Sequence, residues 1–242
     1  MMKNRLSTAV GMLAAGTLLL TACGSAPTLD ETWPEVRKNF EEAESLRINM
    51  EATGEDEAGT GTADLAGAAD DSHMKGTMNI DMGGDVVDME VLRLDGDVFL
   101  KMKSDGEDNA FTRMVGDKWL KMSASDAEDM GDFTMSSLLD SMVEDMPAAD
   151  AFDGHDIEAE EVEVDGVKYD KYVVPEKVLE SETAGNIYYV DREDDTMFRV
   201  EGGKSEDGKQ DTVVTFTDWN SVEAPEAPAE DEVFDQSSMT NP

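Results

Sequence analysis

Cysteine is almost absent, with Cys23 alone in a chain of 242 residues. A disulfide needs two thiols, so no intramolecular bridge holds this fold, and the lone sulfur must be explained by its surroundings. Histidine is nearly as scarce, with only His73 and His155. No Gly-x-Ser-x-Gly elbow and no glycine-rich phosphate loop occurs, so nucleophile and base pairs lack their usual members. No catalytic residue, metal site or cofactor is nominated, and the expectation is a non-enzyme. Basic residues are few, 19 against 57 acidic ones, for a formal charge of −38. Such a surface repels phosphate backbones and anionic headgroups, which removes nucleic acid from the candidate partners. The acids are spread along the chain rather than clustered, the pattern of a solvated coat.

One long apolar stretch is present, at the N-terminus. Lys3 and Arg5 precede an apolar run from Thr8 to Leu20, and Thr21 and Ala22 supply small residues before a cleavage point. This is the order of an export signal. The run is shorter than the roughly 20 apolar residues that cross a bilayer. Leu20-Thr21-Ala22-Cys23 resembles the lipobox of bacterial lipoproteins, in which the cysteine sulfur takes a diacylglyceryl group before the signal is removed. The resemblance implies that residues 1–22 are a signal peptide and that Cys23 is the lipidated first residue of an extracytoplasmic protein anchored to the membrane. An ordinary signal with a chance cysteine is the plainer alternative. Residues 23–31 then read as a flexible spacer.

Beyond the spacer, Thr32-Trp33-Pro34-Glu35 has the form of a helix start, with Thr32 as N-cap and Pro34 in the first turn. Trp33, Val36, Phe40 and Ala43 continue at helical spacing. The period changes to two at Leu46, Ile48 and Met50, which marks a half-exposed strand. Further strands are expected at 62–68, 74–82, 86–94 and 97–103, the last two joined by Asp95-Gly96, a dipeptide suited to a type I′ turn. Phe111–Val115 and Lys118–Met122 read as another hairpin. Met135, Leu138, Leu139, Met142 and Met146 then fall on one face of a helix spanning 133–146, stopped by Pro147. Strands at 157–164, 167–174, 186–191, 196–201 and 212–219 follow, and the Pro/Ala-rich acidic segment 221–242 reads as a tail. Hairpin connections and two amphipathic helices predict an α+β domain over 32–220, a curled antiparallel sheet wrapped around the helices.

The lipobox, the hairpin "VLRLDGDVFLKM", the pair "FTRMVGDKWLKMS" and the late "IYYVDREDDTMFRVEGG" together resemble actinobacterial LppX/LprG-type lipoproteins, with a LolA/LolB-like fold. The resemblance implies an open half-barrel covered on its concave side by helices, enclosing a cavity for acylated lipid or glycolipid. It implies cavity positions on the apolar faces of three strands and the mid-chain helix: Met78, Ile80, Met82, Met89, Val91, Leu100, Met102, Met135, Leu138, Leu139 and Met142. The 17 methionines, most of them beyond Cys23, suit such a cavity because the side chain is flexible and polarizable. Periodicity alone does not separate a lined cavity from a packed core. A protein-interaction or sensing module with an envelope protein as partner stands as the second reading. Asp191-Arg-Glu-Asp-Asp195 has acids at alternate positions but lacks the glycine and terminal glutamate of a calcium loop, so it reads as a polar hairpin turn.

Overall fold

The computed structural model of the chain describes residues 26–53, 60–82, 85–104, 115–123, 126–127, 134–179, 185–202 and 212–235. Helix α1 (Leu29–Glu41) precedes strands β1 (Ser45–Thr53), β2 (Thr60–Ala68), β3 (His73–Met82), β4 (Asp85–Leu94), β5 (Asp97–Ser104) and β6 (Trp119–Ser123). After helix α2 (Met135–Asp145) come β7 (Glu160–Val164), β8 (Val167–Val173), β9 (Ile187–Asp191), β10 (Met197–Gly202), β11 (Thr212–Thr217) and β12 (Val233–Asp235). Among the described residues these twelve strands form one sheet in the order β12-β6-β5-β4-β3-β2-β1-β11-β10-β9-β8-β7. Its two ends do not meet, so the expected open, curled α+β architecture is the one observed.

Two meanders make this sheet, and β1 joins them. It pairs with β2 on one side and with β11 on the other, Ile48 standing opposite both Leu65 and Phe216. The hairpin turns follow their sequence chemistry. Asp95 and Gly96 both take positive φ (51° and 83°), as do Asp165 and Gly166 (53° and 85°), the conformation that a two-residue type I′ turn requires.

Helix α1 begins earlier than Thr32. Thr28 is the N-cap and Pro34 lies inside the helix. Burial decides the start: Leu29 extends the stripe of Trp33, Val36 and Phe40 and is fully buried, and its N–H donates to the Ile157 carbonyl at 2.9 Å. Thr32, expected as a cap, instead turns its hydroxyl to Tyr172 Oη at 3.0 Å. The chain is tied down even before the helix, since the Ala159 N–H donates to the Pro27 carbonyl. Residues 27–31 of the spacer expected over 23–31 are therefore held by the fold, and residues 23–25 lie outside the described residues.

Two further differences concern the end of the first meander. Residues 111–114 of the expected hairpin lie outside the described residues, and Val115 is in a helical turn. The edges of β6 are taken by β5 and by β12. The second of these corrects the reading of 221–242 as a tail. Val233–Asp235 runs parallel to Trp119–Lys121, and Phe234 packs against the core. An acidic Pro/Ala composition hid it, because three residues are too few to show a strand period.

Candidate functional site

Side chains alternate along each strand, so the register defines which of them share the face turned to the helices. Ile48, Leu65, Val91, Leu100 and Leu120 form one cross-strand row on that face, and all are buried. Gly76 completes this row opposite Leu65, whose side chain fills the space a Cβ there would need. The next row is Met50, Ala63, Met78, Met89 and Met102, successive partners across β1 to β5. Its methionines are only half-buried, and beyond it Ile80 is 39% exposed. The inner face thus passes from a sealed core to an open apolar trough.

Both helices lie over the sealed part and are pinned at their ends. At the start of α2, Thr134 Oγ1 accepts the Ser137 N–H at 3.1 Å. Asp71, in the β2–β3 turn with φ of 58°, accepts the Ser136 N–H at 3.0 Å and its hydroxyl at 2.6 Å. Beyond the other end of α2, Arg37 Nη1 donates to the carbonyls of Met146 and Pro147 at 3.1 and 3.0 Å, and Trp33 Nε1 donates to Pro147 at 3.1 Å. A carboxylate at the N-terminus and a guanidinium at the C-terminus both complement the helix dipole.

Between α1, the C-terminal part of α2 and the inner face of the second meander lies a cavity of about 240 Å³. Trp33, Phe40, Met142, Tyr188, Val214 and Phe216 account for much of its wall, and Met50 belongs both to the cavity and to the methionine row. Among the described lining residues Asp145 is the ionic one. Trp33 is the rear wall, edge-on to Phe152 at 5.1 Å and tilted against Tyr188 at 5.0 Å. Tyr188 Oη donates to the Gly185 carbonyl, and burial pushes its phenol up. Burial likewise pushes the Tyr172 hydroxyl up to about 12. Both stay neutral across the physiological range. A larger opening of about 460 Å³ between the helices carries Glu41, Asp140 and Glu144, and another of about 350 Å³ on the outer face carries Arg47, Asp64, Lys75 and Glu90. Their charge makes them poor receptors for hydrocarbon.

The positions expected from the sequence divide into three groups. Met142 lines the cavity. Val91, Leu100, Met135 and Leu139 are in the packed core, with Met89 and Met102 packed against it. Met78 and Ile80 lie on the open trough and Leu138 is half-buried on α2. Met82 is within β3, but its side chain lies outside the described residues, as does Cys23. The walls supplied by β9, β10 and β11 were missed in sequence, although "IYYVD" and "TVVTFT" carry the apolar positions concerned. His155 is exposed in a turn, and among the described residues no helix is long and apolar enough to cross a membrane.

The 191–195 segment is the polar turn expected of it. Asp191 Oδ1 accepts the Glu193 N–H at 2.8 Å, and Asp194 Oδ1 accepts from both the N–H and the hydroxyl of Thr196. Burial, with Glu35, Asp194, Asp170 and Asp191 nearby, raises the Asp195 carboxyl above its ordinary range. The folded state then holds this proton more tightly than the unfolded chain, so the group lowers stability once pH exceeds its folded pKa. As pH falls through that value toward the ordinary 3.8, the loss is recovered. Asp195→Asn is expected to raise the melting temperature at pH 7 and to lose that advantage near pH 4, read by thermal unfolding at both values. Asparagine suits the site because Asp195 has φ of 56°.

An unclosed, mostly antiparallel half-barrel with α1 and α2 on its inner face is the class this fold defines. No protein-family model and no curated protein sequence matches the chain. Among solved structures, LprF from Mycobacterium bovis superposes with a TM-score of 0.53 at 12% identity, covering 84% of this chain and 99% of that one. The likeness to LprF shows a shared fold. The Mycobacterium tuberculosis lipoprotein LppX matches with a TM-score of 0.41 at 14% identity, over 79% of this chain and 94% of its own. An uncharacterized conserved protein from Thermus thermophilus matches at 0.31 and 10% identity, over 85% and 98%.

Proposed function

We propose that the chain is an extracytoplasmic lipoprotein, anchored to the membrane through acylated Cys23, that binds an acylated lipid or glycolipid without catalysing a reaction. The apolar cavity behind Trp33, joined through Met50 to the open methionine row, carries this reading. Ligand pockets commonly measure about 300–1,000 Å³, so about 240 Å³ receives part of an acyl chain and the trough receives the rest. Methionine side chains re-pack around chains of different length. Burial supplies about 25 cal/mol per Å² of apolar surface, enough to hold a chain without a polar ligand residue. The absence of Lys and Arg from the described lining means that affinity comes from the hydrocarbon.

A fluorescent acyl probe titrated into the protein tests this. Val214 lines the cavity, whereas Thr215 beside it points to the opposite face. Val214→Lys is expected to reduce probe affinity tenfold or more and Thr215→Lys to leave it unchanged. Equal affinities in the two variants would place the probe elsewhere.

A further inference from the structure

The methionine row does not begin at β1. Met50 stands opposite Val214, Val214 opposite Val200, and Val200 opposite Tyr188, and all of them line the cavity behind Trp33. On its other side Met50 stands opposite Ala63, from which Met78, Met89 and Met102 follow. Cavity and trough are therefore two stretches of one line of side chains that crosses the inner face from β9 to β5. The sheet order gives this line seven strand spacings, three within the cavity and four beyond Met50. At ~4.8 Å each it is about 34 Å long.

Ala63 is the junction. It is the smallest side chain of the line and sits between Met50 and Met78, so the floor dips where the cavity ends. Its neighbours two positions along β2 bound the dip unequally. Leu65 belongs to the packed row, where it fills the space opposite Gly76. Gly61 has no side chain, and of its partners Ala52 is half-buried and Ile80 exposed. The line thus has a wall on one side and an open margin on the other, and no ionic side chain interrupts it between Tyr188 and Met102.

A line one side chain wide, walled on one side, suits a single hydrocarbon chain. The hydrocarbon core of a bilayer is about 30 Å thick and holds two leaflets, so an ordinary membrane acyl chain reaches about 15 Å. A chain that fills the line has about twice that reach. Resting on the reading that this face binds acylated lipid, we infer that the protein selects a lipid with one chain longer than those of ordinary membrane lipids, and that Ala63 is the specificity residue that passes this chain from the cavity to the methionines. A chain ending within the cavity gains nothing from Met78, Met89 and Met102. Each methylene laid across them leaves water on one side only, so the gain is about threefold per pair of methylenes rather than the roughly tenfold of complete burial.

Saturated monoacylglycerols from octanoyl to tetracosanoyl, presented from cyclodextrin in competition with a fluorescent acyl probe, test the inference. Wild-type affinity is expected to keep rising past the hexadecanoyl member. Ala63→Leu, which raises the floor at the junction, is expected to end that rise and to weaken the longest members tenfold or more while leaving the shortest unchanged. Thr62→Leu, on the opposite face and exposed, is expected to change nothing. Met78→Lys repeats the test should Ala63→Leu fold poorly, since a charge one strand beyond the junction gives the same cut-off. A wild-type affinity that levels off at ordinary chain lengths overturns the long-chain inference, and a rise that survives both variants overturns the route over Ala63. Either result leaves lipid binding by the cavity standing, whereas no binding of the probe or of any member overturns that reading itself.

Discussion

A chain carrying Cys23→Ala is expected to leave the membrane fraction for the soluble one. Each buried methylene contributes about 0.8 kcal/mol of membrane affinity, so two long acyl chains give on the order of 20 kcal/mol before entropy costs. Nothing else in the sequence replaces that hold. The apolar run at 8–20 belongs to the proposed signal, and a charge of −38 is repelled by anionic lipid. With Cys23 lipidated as proposed, at most four residue steps, about 13–14 Å, would separate the anchor from Pro27, where the chain is tied to Ala159. Fractionation with a salt wash and a detergent wash reads the result on chains from which residues 1–22 have been removed, and such a variant that remains membrane-bound would contradict the lipidation of Cys23.

Trp33→Ala has the largest expected effect on the fold. The ring is fully buried and contacts Phe152 and Tyr188 edge-on or tilted, and its Nε1 binds the Pro147 carbonyl just past α2. Truncating a buried tryptophan costs about 3–5 kcal/mol, against a total of about 5–15 kcal/mol for a domain. Trp33→Phe keeps most of the packing and loses the hydrogen bond, a net contribution of about 1 kcal/mol. The Pro147 carbonyl still has Arg37 as a donor, which limits that loss. Urea unfolding is expected to rank the wild type above Trp33→Phe and both well above Trp33→Ala. A cost below about 1 kcal/mol for the alanine variant would mean that the rear wall of the cavity is not a structural element.

Local order was legible where a period was long enough to count. The two Asp-Gly turns, the alternation of β1 and the helical spacing from Met135 to Met142 each specify backbone geometry within a few residues. What failed was long-range. Nothing near Leu46 announces that β1 will pair with β11, the contact that brings Phe216 and Val214 beside Met50 and builds half of the cavity wall. The expected cavity therefore drew on the first meander and α2 without the second meander, and the structure puts many of those positions into packed core. Asp71 illustrates the same limit. It reads as one more acid in a turn, and its reach to Ser136 exists only after the sheet and α2 have docked. Thr32 misled because its cap pattern is locally good, while the burial of Leu29 against the Ile157 segment outweighs it.

The central claim is that the inner face holds lipid. Native mass spectrometry of the protein purified from its own membrane in mild detergent, followed by organic extraction, addresses it most directly. The account predicts a discrete acylated lipid, bound with defined stoichiometry, present in the wild type and depleted in Val214→Lys but retained in Thr215→Lys. A wild-type protein that carries no lipid and takes up none from vesicles would contradict it.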